Sequence, residues 1–137
     1  MLIRGEANGA SIELSERDGL LRSDGSEFYR VTLRENEFEV SFRVYAFDPA
    51  DDGLSKFFRA IADKWRGWKG ILEWSSLEGE FELSCQHDGV GHVQVIATIH
   101  SNNFGNGWTG QIRFDVAPGS LEEIAEGVNR FFKTARV

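Results

Sequence analysis

Residues 29–44 read YRVTLRENEFEVSFRV, with apolar side chains at every second position on both sides of Glu35-Asn36. Alternation with a period of two is typical of a half-buried β-strand, and two such runs in succession predict an antiparallel hairpin. If Leu33 faces Phe38, the apolar side chains of both strands share one face, as a hairpin covering a core requires. A Glu-Asn turn and a four-residue loop over Arg34 to Glu37 both fit this register.

Three later runs alternate in the same way and predict three consecutive antiparallel strands. Residues 11–15 alternate as well and suggest a further strand. The inward positions of the later runs are Phe81, Leu83 and Cys85, then Val93, Val95, Ala97 and Ile99, then Trp108, Gly110, Ile112, Phe114 and Val116. The outward positions are charged or polar, as a wet sheet face requires, and include Glu39, Arg43, Glu80, Glu82, Gln94, Arg113 and Asp115.

Two segments have the apolar spacing of amphipathic helices. The first follows the break at Asp48-Pro49, has Asp51 and Asp52 at its start and is expected to end before Gly67; its apolar face comprises Leu54, Phe57, Phe58, Ile61, Ala62 and Trp65. The second is expected to start at Ser120, with Glu123 completing a capping box. Its apolar face comprises Leu121, Ile124, Ala125, Val128, Phe131 and Phe132.

These elements predict an α+β fold in a single domain over 1–137, with an antiparallel sheet of six to seven strands and both helices packed on one face. The two halves of the chain echo each other. Each has strands, a proline-containing break and a helix that carries a Phe-Phe pair, Phe57-Phe58 in the first and Phe131-Phe132 in the second. Two echoes are too few to define a repeat protein.

The charge balance is acidic, with 22 Asp and Glu against 15 Lys and Arg and a formal net charge of −7. A nucleic-acid binder needs a basic stripe, which the sequence lacks, so no nucleic-acid partner is expected. An acidic surface suits a basic protein partner, although the charge also serves solubility alone. The sequence shows neither a membrane-spanning run nor a signal-peptide pattern, and its single cysteine favours a reducing compartment, so we expect a cytoplasmic protein.

The densest group of potential metal ligands is Cys85, His87, Asp88 and His92. Strand parity argues against a metal site there. Cys85 must share the inner face with Val93, which requires an odd loop such as His87-Asp88-Gly89 and turns His92 outward. Neither paired zinc-ligand spacing nor a nucleophile or phosphate-loop motif occurs, so we expect no metal, no cofactor and no catalytic residue.

Exposed acidic and aromatic residues remain as candidates for contact with a partner. Alternating glutamates on an outward strand face are typical of a solvated surface, and a catalytic pair would have to face across a cleft. Trp65 and Trp108 are expected in the core, Trp68 is expected to be partly exposed, and Phe104 lies in an Asn/Gly-rich loop. The candidate partner-binding residues are Glu35, Glu37, Glu39, Glu78, Glu80, Glu82, Trp68 and Phe104.

The C-terminal half resembles a family of uncharacterised small bacterial proteins that is similar to the WapI-like immunity proteins of toxin systems. The resemblance rests on Trp68-x-Gly70, Trp74-Ser75-Ser76, Phe81-x-Leu83, His87-Asp88-Gly89-x-Gly91-His92-Val93, Trp108, Pro118-Gly119 and Phe131-Phe132. In the N-terminal half, the resemblance extends only to the general arrangement of the predicted elements. It implies a non-enzymatic protein that covers a toxin domain, and it transfers no catalytic residue.

Three functions therefore stay open. The preferred hypothesis is an acidic protein-binding domain that neutralises a basic toxin. The second is a small-molecule-binding domain or minor enzyme with a pocket between sheet and helices near Trp68, Trp74 and His92. The third is a structural domain that forms oligomers, for which the apolar Ile96 on the predicted wet face is the one hint.

Overall fold

The computed structural model describes residues 1–7, 9–18, 23, 26–47, 53–102 and 106–133. Its first four strands form an antiparallel sheet, sheet A, in the order β1 (Leu2–Arg4), β2 (Ser11–Ser15), β3 (Ser26–Glu35) and β4 (Phe38–Phe47). The longest ladder joins β3 and β4, where Tyr29 faces Val44 and Leu33 faces Val40.

The next four strands form a second antiparallel sheet, sheet B, in the order β5 (Ile71–Ser75), β6 (Phe81–His87), β7 (Val93–His100) and β8 (Thr109–Val116). Each strand pairs with the one before it along the chain, so both sheets are simple up-and-down meanders. The inner face of sheet B is apolar because every second residue of β6, β7 and β8 is buried.

A helix follows each sheet. Helix α1 spans Leu54–Asp63 after sheet A, and helix α2 spans Leu121–Lys133 after sheet B, preceded by a single 3₁₀ turn at Pro118–Ser120. The helices lie against each other, with Arg59 of α1 bonded to Glu122 of α2 at 3.1 Å and Ser55 to Asn129 at 3.2 Å. The apolar faces of both helices belong to the same buried cluster as the inner faces of both sheets.

The two sheets meet where β8 packs on β3, and side chains of β4 lie against the start of β8. Gly110 makes this approach possible, since a Cβ at that position would lie 2.9 Å from Val40 Cγ2 and 3.3 Å from Phe38 Cζ. At the other end of β8, the Glu6 N–H donates to the Asp115 carbonyl at 2.9 Å. Sheet B is therefore held against sheet A at two separate points.

The predicted α+β class and the antiparallel pairing are confirmed, but the prediction of one sheet of six to seven strands is wrong. The strands divide into two sheets of four, and β4 does not pair with β5. Helix α1 separates β4 from β5 along the chain. The outward N–H of Tyr45 on β4 instead reaches the carboxylate of Glu80, just before β6, at 3.1 Å.

The β3–β4 hairpin has a different register from the one expected. Leu33 faces Val40 rather than Phe38, and the turn consists of Asn36 and Glu37. A shift of two residues keeps every side chain on its face, so the apolar face was assigned correctly although the register was not. Asn36 has φ 52°, a left-handed conformation that Asn adopts more readily than most residues, which places the turn one residue further along.

Two tryptophans expected in the core lie at the surface. Helix α1 ends at Asp63, two residues before Trp65, and the Trp65 side chain is 49% exposed. Trp108 precedes β8 at the open rim between the sheets, where it is 42% exposed and packs edge-to-face on Phe42 at 5.9 Å. At both positions the apolar pattern of the sequence extends past the end of the helix or strand, so the tryptophan is not buried with the rest of that element.

The expected capping box of the second helix is also absent from the described contacts. The Ser120 hydroxyl donates back to the Ala117 carbonyl at 2.7 Å and helix α2 begins at Leu121. The expected break at Asp48-Pro49 and the acids Asp51 and Asp52 fall outside the described residues.

Candidate functional site

The three glutamates of the β3–β4 hairpin do not form a free acidic patch. Glu39 bonds to Arg34 at 2.6 Å, and the same guanidinium bonds to Glu13 of β2 at 2.9 Å. These carboxylates raise the pKa of Arg34. Glu35 is half-buried and Glu37 is exposed at the turn. Of these three carboxylates, that of Glu39 is held in an ion pair, that of Glu35 is partly covered, and that of Glu37 is open to solvent.

The glutamates at the start of β6 have three different environments. Glu78 is exposed in the β5–β6 turn, and Glu82 points outward and lies 3.3 Å from His100 Nε2. The expectation that Glu80 is a solvated outward residue is wrong. It is 8% exposed, accepts a hydrogen bond from the Ser76 hydroxyl, and also binds Tyr45 N–H. Its carboxylate satisfies a strand edge and is not available to a partner.

Trp68 lies in the connector between α1 and β5, half-buried as expected. Its ring packs edge-to-face on His87 with the centroids 5.3 Å apart. His87 Nδ1 accepts from Gly89 N–H at 2.8 Å, so Nε2 carries the proton and donates to the Trp65 carbonyl at 3.1 Å. His87 thus fixes the connector to the end of β6. Phe104 falls outside the described residues.

Cys85 and His92 lie on opposite faces, as strand parity predicted. Cys85 is buried opposite Val95, and burial raises the pKa of its thiol to about 12. His92 is exposed and contacts Asp88 at 3.0 Å. The loop between β6 and β7 runs from Asp88 to His92. It has five residues rather than the three expected, and since both numbers are odd, the same faces of the two strands point inward. Among the described residues, no three His, Cys, Asp or Glu side chains come together in a way that could hold a metal ion.

Asp88 organises this loop. Its Oδ1 accepts the backbone N–H groups of Val90 at 2.8 Å and His92 at 3.0 Å. These two bonds, aided by the His92 side chain, lower the pKa of Asp88 to about 2. Within the His87–Val93 motif, Asp88 therefore has the structural role of a turn-forming carboxylate.

The outer face of sheet A carries several ion pairs. Arg34 joins Glu13 and Glu39, Arg30 bonds to Glu16 at 2.6 Å, and Arg43 bonds to Asp18. Arg30 also donates to Ser41 at 3.0 Å. Arg30, Arg34 and Arg43 are each paired with a carboxylate, so a partner docking on them would have to replace interactions already made.

The outer face of sheet B is different, and we define it by twelve outward residues of β5 to β8. Three cross-strand rows run over it. The register gives Ile71, Gln86, Gln94 and Asp115, then Glu73, Ser84, Ile96 and Arg113, then Ser75, Glu82, Thr98 and Gln111. It carries three carboxylates and one guanidinium. Within the described part of the chain, Glu73 makes no hydrogen bond or ion pair.

The centre of this face is a shallow open depression of about 590 Å³. Short side chains create it, because Ser75, Ser84 and Thr98 cover little of the sheet, while Glu73 and Glu82 stand at its side. Gln111 donates to Thr98 at 3.0 Å across the floor. Ile96, the apolar residue singled out from the sequence, lines it and is half-buried. The depression therefore offers carboxylates, hydroxyls and one apolar contact.

Sequence reasoning placed Glu82, Gln94, Ile96, Arg113 and Asp115 on this face but missed Glu73 on it and His100 beside it. His100 bridges two strands, since its Nδ1 lies 3.2 Å from the Thr109 hydroxyl and its Nε2 lies close to Glu82. The alternating pattern could have placed both residues outward. The pairing that makes them neighbours of Glu82 requires the strand register.

Trp68, Trp74 and His92 do not converge on a common pocket. Trp68 contacts His87, Trp74 packs on Phe81 at 5.6 Å, and His92 lies in the Asp88 loop. A larger cleft of about 840 Å³ opens between the sheets, lined by Phe42, Arg43, Leu77, Glu78 and His100 among others. Neither of the two described helices has the length and apolar composition needed to cross a membrane.

These features define a small α+β domain made of two four-stranded meanders, each followed by a helix, with one outer sheet face left open. The chain belongs to a family of unknown function, DUF6228, whose model matches residues 3–135. No curated protein and no solved structure matches it. The family match covers the N-terminal as well as the C-terminal half, and it shows no relation to the WapI-like immunity proteins.

Proposed function

We propose that this chain is a protein-binding domain and that the outer face of sheet B receives a partner with a basic surface. The contrast between the two sheets carries the proposal. On sheet A the outward Arg30, Arg34 and Arg43 are each held in an ion pair, whereas sheet B leaves an open depression beside Glu73 and Glu82.

The chemistry of this face suits a polar interface. Carboxylates near the rim attract a basic partner during diffusion and raise its association rate. The hydroxyls of Ser75, Ser84 and Thr98 can exchange their water for hydrogen bonds to the partner, and short side chains let its backbone approach the sheet. Ile96 supplies an apolar contact at the centre. None of these contacts requires the domain to perform catalysis.

A toxin that the domain neutralises is the partner we propose. Support comes from the net charge of −7 and from the sequence resemblance to immunity proteins, which bind and cover a toxin domain. The proposal requires the partner to present Lys or Arg side chains where it meets Glu73 and Glu82.

Small-molecule binding is a second candidate, favoured by the cleft of about 840 Å³ between the sheets. Arg43 and His100 could bind an anionic group there, and Phe42 offers an aromatic wall. Burial of a ligand would need the cleft to close further, because its walls are open to solvent. Self-association through Ile96 is the third candidate and would use the same face as the proposed partner.

Co-expression with the product of the neighbouring gene tests the proposal. We expect the two proteins to co-elute in size-exclusion chromatography, and we expect co-expression to relieve any growth inhibition that the neighbour causes alone. Amide hydrogen exchange in the complex should slow on β5 to β8. A complex protected only at sheet A or at the cleft, the absence of any complex, or a stable homodimer through sheet B would each contradict the proposal.

A further inference from the structure

Strand β5 is an edge strand whose outward backbone groups are open. Ser76 N–H donates to the Phe81 carbonyl at 2.8 Å, so Ser76, Trp74 and Leu72 face β6. In an antiparallel pair the intervening residues point the other way. The backbone groups of Ile71, Glu73 and Ser75 therefore point away from β6, and no described strand or loop bonds to them.

The other sheet edges are short or partly bonded. The Tyr45 N–H on the edge of β4 is taken by Glu80, and the Asp115 carbonyl on the edge of β8 is taken by Glu6. Strand β1 has only three residues. Proteins usually protect exposed edges by such devices, because an unprotected edge can pair with another chain. The strands β4 and β8 are longer than β5, but β5 differs in that none of the outward backbone groups of Ile71, Glu73 and Ser75 is bonded within the described residues.

The segment leading into β5 carries a local charge opposite to that of the whole chain. Residues 64–69 read KWRGWK, with three cations and no acid. Lys64, Arg66 and Lys69 are exposed, and within the described residues none of them makes an ion pair. Trp65 is 49% exposed beneath the Arg66 guanidinium, which lies 5.1 Å from its ring, and Ile71 is 54% exposed.

We propose that the β5 edge binds an extended acidic peptide segment, which adds as a fifth strand of sheet B. The main-chain groups of Ile71, Glu73 and Ser75 would supply the ladder, and Lys64, Arg66 and Lys69 would bind carboxylates at one end of the peptide. The exposed Trp65 and Ile71 provide apolar contact beside them. Glu73 on the strand itself disfavours acids at the other end, so the acids must be confined to the end next to Ile71.

Hydrogen exchange measured residue by residue gives a signature specific to strand addition. The probes are two eight-residue peptides, one with four glutamates followed by Val-Thr-Val-Thr and one with the order reversed, which together cover both strand directions. One of them should slow exchange at Ile71, Glu73 and Ser75 and leave Leu72 and Trp74 unchanged, since the latter amides already bond to β6. Protection of all five amides alike, or of none, would overturn the proposal.

Two matched pairs, one of protein variants and one of peptides, separate the contributions of backbone hydrogen bonds and of charge to peptide binding. Glu73→Pro removes the outward N–H but keeps the bonds to β6, whereas Glu73→Ala removes only the side chain. We expect Glu73→Pro to bind the acidic peptide about tenfold more weakly than Glu73→Ala. Lysine in place of the four glutamates should abolish binding to the wild-type protein. Equal binding by both variants, or by both peptides, would contradict strand addition.

A single-stranded oligonucleotide provides the last control, because exposed cations and tryptophans also bind nucleic acids. If the oligonucleotide binds more tightly than the acidic peptides and leaves the Ile71, Glu73 and Ser75 amides unprotected, this surface is a nucleic-acid site and the proposal fails. Should Glu73→Pro not fold, the alternating exchange pattern in the wild-type protein still decides. The edge site uses main-chain groups of β5, whereas the outer face uses side chains of β5 to β8. The two share Glu73 and Ser75 but bind ligands of opposite charge, and the alternating amide pattern is specific to the edge, so either proposal can fail alone.

Discussion

The Glu80 carboxylate accepts the backbone N–H of Tyr45 at 3.1 Å, joining the residue before β6 to the edge of β4. The same carboxylate accepts the Ser76 hydroxyl, and Ser76 in turn accepts the Phe81 N–H at 3.1 Å. A buried glutamate thus satisfies one strand edge and one turn at the junction of the two sheets.

Replacement of Glu80 should therefore destabilise the fold. Glu80→Ala leaves the part-buried N–H of Tyr45 and the buried hydroxyl of Ser76 without their acceptor, which costs about 1–3 kcal/mol of unfolding free energy. The exposed neighbour Glu82 is the control, and Glu82→Ala should change the unfolding free energy by less than about 1 kcal/mol. Urea denaturation monitored by tryptophan fluorescence measures both. Equal losses would show that the Glu80 bonds do not stabilise the junction.

The ion pair between Arg17 and Glu27 is buried, with Glu27 0% exposed and the charged atoms 2.9 Å apart. Arg17 also donates to the Phe131 carbonyl in α2 at 2.7 Å. Arg17→Met should cost about 3–5 kcal/mol, because it removes the charge that compensates Glu27. The double variant Arg17→Met with Glu27→Leu should be less destabilised than Arg17→Met alone. Additive losses in chemical denaturation would argue against a coupled pair.

Two buried glycines should respond oppositely to alanine. At Gly110 the new Cβ would meet the branched Val40 side chain at 2.9 Å, and relief requires the sheets to separate. We expect Gly110→Ala to lower the unfolding free energy by about 1–3 kcal/mol. At Gly127, within α2, the contact is the Met1 methyl, the mobile end of a flexible side chain. Gly127→Ala should be neutral or stabilising by up to about 1 kcal/mol, through helix propensity. Equal effects in thermal denaturation would be evidence against a tight sheet contact.

Asp88 should make the β6–β7 loop sensitive to acid. Its pKa is lowered to about 2 in the folded protein from an ordinary value of 3.8, so its stabilising contribution is complete above about pH 4 and disappears as the pH falls through 2. Asp88→Asn cannot titrate. The stability difference between the wild type and Asp88→Asn should shrink between pH 4 and pH 2. A difference that is constant over this range, or an Asp88 titration midpoint near 4 by NMR, would contradict the hydrogen-bonding role.

Local patterns predicted much of this fold. Alternation assigned the faces of β3, β4, β6, β7 and β8 because side-chain direction depends only on parity, which survives the register errors in both hairpins. The echo between the two halves indicated that a set of strands followed by a helix occurs twice. The division of the strands into two separate sheets was not predicted. Whether two strands pair across an intervening helix depends on tertiary packing, which the local spacing of apolar residues does not report.

The candidate site was predicted only in part. Glu82 lies on the open face of sheet B, and Trp68 is half-buried beside His87, while Glu39 is engaged by Arg34 and Glu80 is buried. All the glutamates look alike in a strand pattern. Their difference arises from what the folded chain brings near them: a guanidinium at one position, a free backbone N–H at another, and solvent at Glu73.

The most direct test of the proposed function compares two charge reversals of equal size. Glu73→Lys and Glu126→Lys each change the net charge by the same amount, and both side chains are exposed without an ion pair in the described part of the chain, one on sheet B and one on α2. We expect Glu73→Lys to slow association with the product of the neighbouring gene by about 3- to 10-fold at low salt, while Glu126→Lys stays close to the wild type. Equal rates for the two variants would contradict the assignment of the outer face of sheet B as the binding surface.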